Sequence, residues 1–216
     1  MDTFYKSYIQ IIKMLYIRET ITKEKQEELT LTPHEFSIKY NGNIAGLDVL
    51  GLTSRTGTPT CVLFHKDDLT VHKTNDIFMN LLTGRLSGDE ISSNNIIIVF
   101  PLLQNATAGI STTVPIDLYK REKKILKEKG ISVQFFTTWY TSIPLLEHAL
   151  MPKFRLITNP EEREKILAIA KAKHMNIILS SDPVSRYFGA QNGDIFEILR
   201  KGKEGVQIIW RKVQEI

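Results

Sequence analysis

The densest group of side chains able to do acid–base or metal chemistry is His65-Lys66-Asp67-Asp68, which follows the apolar run Thr60 to Phe64. Loops at strand ends often carry function. Two carboxylates beside an imidazole could hold a divalent cation or serve nuclease chemistry. Adjacent aspartates need not face the same way, however, and no third acid follows at useful spacing on the next apolar run. Asp-Asp is also ordinary turn chemistry. The cluster therefore reads as a solvated turn, and a metal-dependent nuclease-like α/β enzyme stands as the alternative function.

Other reactive residues are scattered. His34, His65, His72, His148 and His174 form no HExxH or HxH pattern, and surface or hydrogen-bonded structural roles are expected for them. Cys61 is the single cysteine, so neither an internal disulfide nor a cysteine-based zinc cluster can form. It lies in Cys61-Val62-Leu63-Phe64 and reads as a buried, inert thiol. The chain contains no GxxxxGK[ST] loop, no GxGxxG after a strand and no GxSxG elbow, so nucleotide cradling and elbow-type nucleophilic catalysis find no support. No catalytic residue, cofactor or metal ligand is assigned.

The run Lys120-Arg121-Glu122-Lys123-Lys124-Ile125-Leu126-Lys127-Glu128-Lys129 could meet a phosphate backbone, but its interleaved glutamates suit a solvated helix face. A free-standing nucleic-acid-binding module is the second alternative. Lys and Arg exceed Asp and Glu by 28 to 24, a mild excess. It permits nucleic-acid contact without demanding it. Trp139 and Trp210 lie in β-prone runs and read as core or interface residues. At 42% hydrophobic and 24% charged, the 216 residues have the composition of a globular chain with room for one large or two small cores. Apolar stretches are too short and too charged for a signal peptide or a membrane span, so no membrane partner is expected; the one-cysteine composition suits a reducing compartment.

Which elements would position these residues? Residues 3 to about 28 show helical spacing through Phe4, Tyr8, Ile11, Ile12 and Leu15, with Thr22 to Glu28 as a solvated continuation or turn. Thr32-Pro33-His34-Glu35 starts a helix that Asn41-Gly42 stops. Residues 44 to 64 read as extended, and a helix is placed over Asp76 to Leu82. Asn95 to Phe100 is the clearest strand, buried on both faces. A charged helix over 117 to 129 ends at Gly130, and Ile131 to Phe136 is the next strand. Thr141-Ser142-Ile143-Pro144 reads as a linker. Asn159-Pro160-Glu161-Glu162 opens another helix, with Lys171 and Lys173 in its last turn. Strands follow at Asp194 to Leu199 and Val206 to Val213, with Lys201 to Gly205 as their hairpin loop.

The remaining informative stretch is Ser180 to Ile195. Asp182-Pro183 is a cap and first-turn pair, Gly189 suits a left-handed stop, and Asn192-Gly193 turns into the next strand. This stretch, Asp182-Pro183-Val184-Ser185-Arg186-Tyr187-Phe188-Gly189, then Gly193, then Glu197-Ile198-Leu199-Arg200, resembles the shared fifth subunit of eukaryotic RNA polymerases. The C-terminal domain of that eukaryotic protein matches its shorter counterpart in archaeal polymerases, and the family carries a DPVARYYG-type motif. Upstream, His148-Ala149-Leu150-Met151-Pro152-Lys153 and Thr158-Asn159-Pro160-Glu161-Glu162 follow the family's order. Two departures are visible. Asn176-Ile177-Ile178-Leu179 replaces a Leu-Pro step, and Lys201-Gly202-Lys203-Glu204-Gly205 replaces a Ser-Glu-Thr-Ala-Gly hairpin.

The resemblance implies an α+β chain of two domains. Residues 1–142 would be a jaw-like α/β domain with a small mixed or parallel sheet, and 143–216 a small α+β polymerase-assembly domain. It further implies a non-catalytic structural subunit that docks on the largest polymerase subunit, contacts other polymerase subunits, and lines downstream duplex DNA through non-specific contacts. His148, Pro152, Asp182, Pro183, Val184, Arg186, Tyr187, Phe188, Gly189 and Arg200 are the expected docking residues. Val184, Tyr187 and Phe188 would anchor apolar contacts, and Arg186 and Arg200 would grip carboxylates or carbonyls. Thr107 and Ala108 fall where the family's DNA-approaching loop lies, without that loop's proline. The implied location is the nucleus, or the virion and host cytoplasm if a large DNA virus encodes the chain.

Overall fold

In a computed structural model, residues 2–67, 69, 94–101, 120–170, 175–202 and 205–215 are described. The expected helix over Asp76 to Leu82, the loop residues Thr107 and Ala108, and Asp68, His72, Lys171, Lys173 and His174 lie outside them. The fold is α+β. The chain divides into two compact units, Met1–Ile143 and Pro144–Ile216.

The first unit is built on a four-stranded mixed sheet with strands in sequence order: β1 (Val49–Thr53), β2 (Pro59–Phe64), β3 (Asn95–Phe100) and β4 (Ser132–Thr137). β1 is antiparallel to β2, and β2, β3 and β4 run parallel. Ile96 to Phe100 are all buried, because a parallel strand is covered on both faces and must be apolar throughout. One face packs Cys61, Leu63, Ile96, Ile98, Phe100 and Phe135 with Leu126 of the helix α4 (Lys120–Glu128). The opposite face meets α1 (Asp2–Ile17), where Tyr8 lies 6.1 Å from Phe64 and Arg18 donates to Gln134 at 3.0 Å. Strand order never reverses among the described strands. Among the described strands there is therefore no switch point of the kind at which open α/β sheets form ligand crevices.

Local chemistry corrects several expectations. The helical spacing of residues 3 to 28 belongs to two helices. α1 ends at Ile17, Glu19 takes φ +55°, and Thr20 N–H donates back to Leu15 at 2.9 Å. Thr22 then caps a separate α2 (Lys23–Leu29) by accepting the Lys25 N–H at 3.2 Å. α3 (Pro33–Tyr40) has the expected start. Thr32 and Glu35 exchange side-chain and backbone bonds in a full capping box, and Asn41 closes the helix in the left-handed region. Ile44–Leu47, read as extended, is a short 3-10 helix. Thr141 is not linker: it ends α5 (Thr138–Thr141), is buried, and its hydroxyl bonds that of Ser7. Trp139, on the same helix, is 41% exposed and so is not a core residue.

The second unit holds a mixed sheet in the order β5-β7-β8-β6. The strands are β5 (Lys153–Leu156), β6 (Asn176–Leu179), β7 (Ile195–Gly202) and β8 (Gly205–Gln214). β5 and β6 are not legible in the sequence, since four residues are too few to display a period. One face packs Phe154, Phe196, Ile198, Ile178 and Val213 with α7 (Pro183–Phe188). The other face brings Ile195 and Trp210 against Ile166 and Leu167 of α6 (Pro160–Ile169). Asn159 caps α6 by accepting the Glu161 and Glu162 N–H groups at 2.9 and 3.2 Å.

Candidate subunit-docking surface

The motif of residues 182–189 is a complete short helix with both ends closed. Asp182 Oδ1 accepts the Val184 N–H at 2.8 Å, and Pro183 occupies the first turn. Gly189 takes φ +64°, its N–H donates to Arg186 O at 3.1 Å, and the Ala190 N–H donates to Ser185 O at 2.9 Å. A side chain at position 189 would cost roughly 1 kcal/mol or more in this conformation.

The helix turns its apolar side chains inward. Val184 is 5% exposed within the cluster of Ile178, Ala190, Phe196, Ile198 and Val213. Tyr187 is 6% exposed. Phe188 is half-buried and lies edge-on to Phe196 at 5.2 Å, which in turn meets Phe154 at 5.8 Å. Val184 and Tyr187 therefore do not form an exposed anchor. Their burial is already spent in the chain's own fold. Pro183 and Arg200 are exposed, Asp182 and Arg186 half-exposed. His148 is exposed, its Nδ1 accepting the Leu150 N–H at 3.3 Å, and Pro152 is half-buried.

A second group, not foreseen from the sequence, locks three elements together. Arg155 on β5 donates to both carboxylate oxygens of Glu162 on α6, at 2.6 and 3.0 Å, and through Nε to Glu197 on β7 at 3.0 Å. The bonds to Glu162 and then Glu197 hold the guanidinium charged well above its ordinary range, and the Arg155 bond holds the Glu162 carboxyl below its own. Glu197 faces Arg155 directly across the β5·β7 pair. Only the acidic pair Glu161-Glu162 at a helix start hinted at the cluster. Its partner lies on a strand that the sequence does not display.

Of the most reactive-looking cluster, His65, Lys66 and Asp67 are among the described residues. Asp67 N–H donates to His65 Nδ1 at 3.1 Å, closing a local turn, and Asp67 is exposed. Among the described residues, no three His, Cys, Asp or Glu side chains stand together as metal ligands would. No described helix is long and apolar enough to cross a membrane.

Comparison with known proteins agrees with the motif. Residues 143–213 match the family profile described as RNA polymerase Rpb5, C-terminal domain. The chain is 33% identical over 76 residues to "DNA-directed RNA polymerases I, II, and III subunit rpabc1" of Dictyostelium discoideum, an alignment covering 34% of this chain and 38% of that protein. It is 35% identical over 69 residues to "DNA-directed RNA polymerase subunit Rpo5" of Methanothrix thermoacetophila, covering 31% of this chain and 87% of that one. The Archaeoglobus fulgidus protein of the same name is 36% identical over 72 residues, 32% of this chain and 93% of that one. The chain thus spans under two fifths of the Dictyostelium relative and nearly the whole of each archaeal one. With a closed Asp182-to-Gly189 helix packed on its sheet and near-complete coverage of two archaeal members, the chain belongs to the Rpb5 family of RNA polymerase subunits.

Proposed function

We propose that the chain is a non-catalytic structural subunit of a multisubunit DNA-directed RNA polymerase. Its C-terminal unit docks on the largest subunit, and its N-terminal unit forms part of the jaw along incoming duplex DNA. One observation carries the reading: the family match, 143–213, falls on a unit with its own sheet and core, Pro144–Ile216. A module that closes its own core can be carried as an assembly part, with its partner contacts on the exposed perimeter around Pro183, His148 and Arg200.

The support for the jaw role lies on α4. There Leu126 is buried against the sheet and Lys123 leans over the Phe135 ring at 5.8 Å, leaving Arg121 and Lys124 exposed. Such a face suits sequence-independent phosphate contact. The subunit would work wherever its transcription machinery works, the nucleus in a eukaryotic cell.

The test is isolation of a tagged chain from the cells that make it. Co-elution with two very large subunits and DNA-dependent RNA synthesis is expected. Elution of the chain at its own mass, with no large partner, would refute the assignment.

A further inference from the structure

The β7–β8 hairpin extends well past the end of β6. β6 pairs with Arg211 to Gln214 of β8, whereas β7 pairs with β8 all the way to Gly205. On the β6 side, no described strand pairs with Val206 to Trp210. The direction of the backbone groups follows from the bonds at the hairpin's base. Val213 N–H donates to Asp194 O at 2.7 Å and Val213 O accepts the Gly193 N–H at 2.8 Å, both on the β7 side, whereas Gln214 O accepts the Ser180 N–H at 2.9 Å on the β6 side. The register from 195↔212 to 202↔205 has no shift. Alternation therefore aims the N–H groups of Val206 and Ile208 away from β7.

Among the described residues, Val206 to Trp210 carry neither proline nor bulge, two of the devices by which natural sheets blunt free edges. Here the outward-pointing positions carry Val206 at 64% and Ile208 at 55% exposure. Both side chains share the sheet face of Trp210, which lies partly buried on the α6 side with its indole N–H unbonded. Around them stand exposed Arg200, Lys201, Arg211 and Lys212, with no carboxylate in ion-pair contact among the described residues. A β-branched edge with free donors and a cationic border is complementary to an extended, acidic segment with alternating apolar side chains.

We propose that the free edge of β8 at Val206 to Ile208 captures such a segment from a neighbouring polymerase subunit as an added strand. The proposal rests on the subunit reading above and names the mode of attachment. It predicts an unusual position dependence. Proline at 208 removes only the outward N–H, leaving the β7 bonds in place, whereas proline at 209 breaks the hairpin itself.

The experiment isolates the assembled polymerase through a tagged chain, parent or Ile208→Pro, and compares amide hydrogen exchange of free and assembled chain. Expected are at least tenfold slower exchange at Val206 and Ile208 in the assembly and at least tenfold lower recovery of large subunits with Ile208→Pro. Ile208→Val should recover them fully, and the circular dichroism of free Ile208→Pro should match the parent. Full recovery with Ile208→Pro and no added protection at 206 and 208 would overturn the added strand while leaving the subunit reading intact. No large subunits with the parent chain would overturn both. Concentration-dependent protection of this edge in the isolated chain would assign it to self-association and overturn the partner.

Discussion

Arg155 grips Glu162 with both terminal nitrogens, at 2.6 and 3.0 Å, across the gap between β5 and the first turn of α6. The planar fork matches the carboxylate, a geometry lysine cannot reproduce. Nε adds Glu197 of β7, so one guanidinium ties an edge strand, a central strand and a helix. Both partners are partly solvated, which limits the pair's contribution.

The pair has a definite pH signature. The Glu162 carboxyl is held below its ordinary value of 4.5, first by the Arg155 hydrogen bond. Its contribution is therefore present above the unfolded-state value and is lost as pH falls through the lower folded-state value. Glu162→Gln should lower the urea midpoint at pH 7, and the gap from the parent should close in strong acid. A gap of equal size at neutral pH and in strong acid would show that the charge plays no part. Arg155→Lys should fall between parent and Arg155→Ala at neutral pH.

The Asp182–Gly189 helix is short enough for its ends to decide its stability. Asp182→Ala removes the acceptor for the Val184 N–H and should cost about 0.5–2 kcal/mol in urea unfolding, with Asp182→Asn retaining most of it. Gly189→Ala forces a side chain onto φ +64° and should cost roughly 1–2 kcal/mol. Equal stability of Asp182→Ala and parent would remove the cap from the account.

Both ends of that helix were legible because capping chemistry is local: Asp-Pro at one end and Gly at the other declare themselves within eight residues. The same holds for Thr32-Pro33, Asn159-Pro160 and the unbroken apolar run Ile96 to Phe100. Illegible features depended on partners remote in sequence. β6 is a strand because it lies along Arg211 to Gln214, and β5 because it faces Phe196 to Leu199. Helical spacing ran through the break at Glu19, since a left-handed residue leaves little trace when it is not glycine. The side chains expected to dock divided along the same line. The motif announced a capped helix, but only packing against Phe196 and Ile198 shows Val184 to be inward.

Tyr8 tests the first unit. It is buried among Phe36, Tyr40 and Phe64, with the Tyr40 hydroxyl donating to its oxygen at 3.4 Å. Burial first, and the Tyr40 bond second, raise its ionisation far above the ordinary 10.0. The sign follows: stability is whole below the unfolded-state value and declines as pH climbs above it, by about 1.4 kcal/mol per pH unit for one proton. Denaturant melts from about pH 9 to 11 should show this decline in the parent and a shallower one in Tyr8→Phe. Parallel profiles would mean that another group carries the alkaline sensitivity.

The α4 face decides whether the N-terminal unit meets DNA in the assembly. Leu126 and Lys123 are used against the sheet, and Arg121 and Lys124 are among the cations presented outward. A phosphate contact releases condensed counterions, and each contributes about 0.9 to the slope of log affinity against log salt. Polymerase assembled with Arg121→Ala/Lys124→Ala should therefore hold downstream duplex with a slope shallower by up to about 2, equally for unrelated sequences. Recovery of the large subunits should be unchanged, because the substitutions lie outside the unit proposed to dock. An unaltered slope with normal assembly would place the duplex away from α4. Loss of assembly would instead move the docking surface into the N-terminal unit, so the one pair of substitutions separates the two roles assigned to the two halves of the chain.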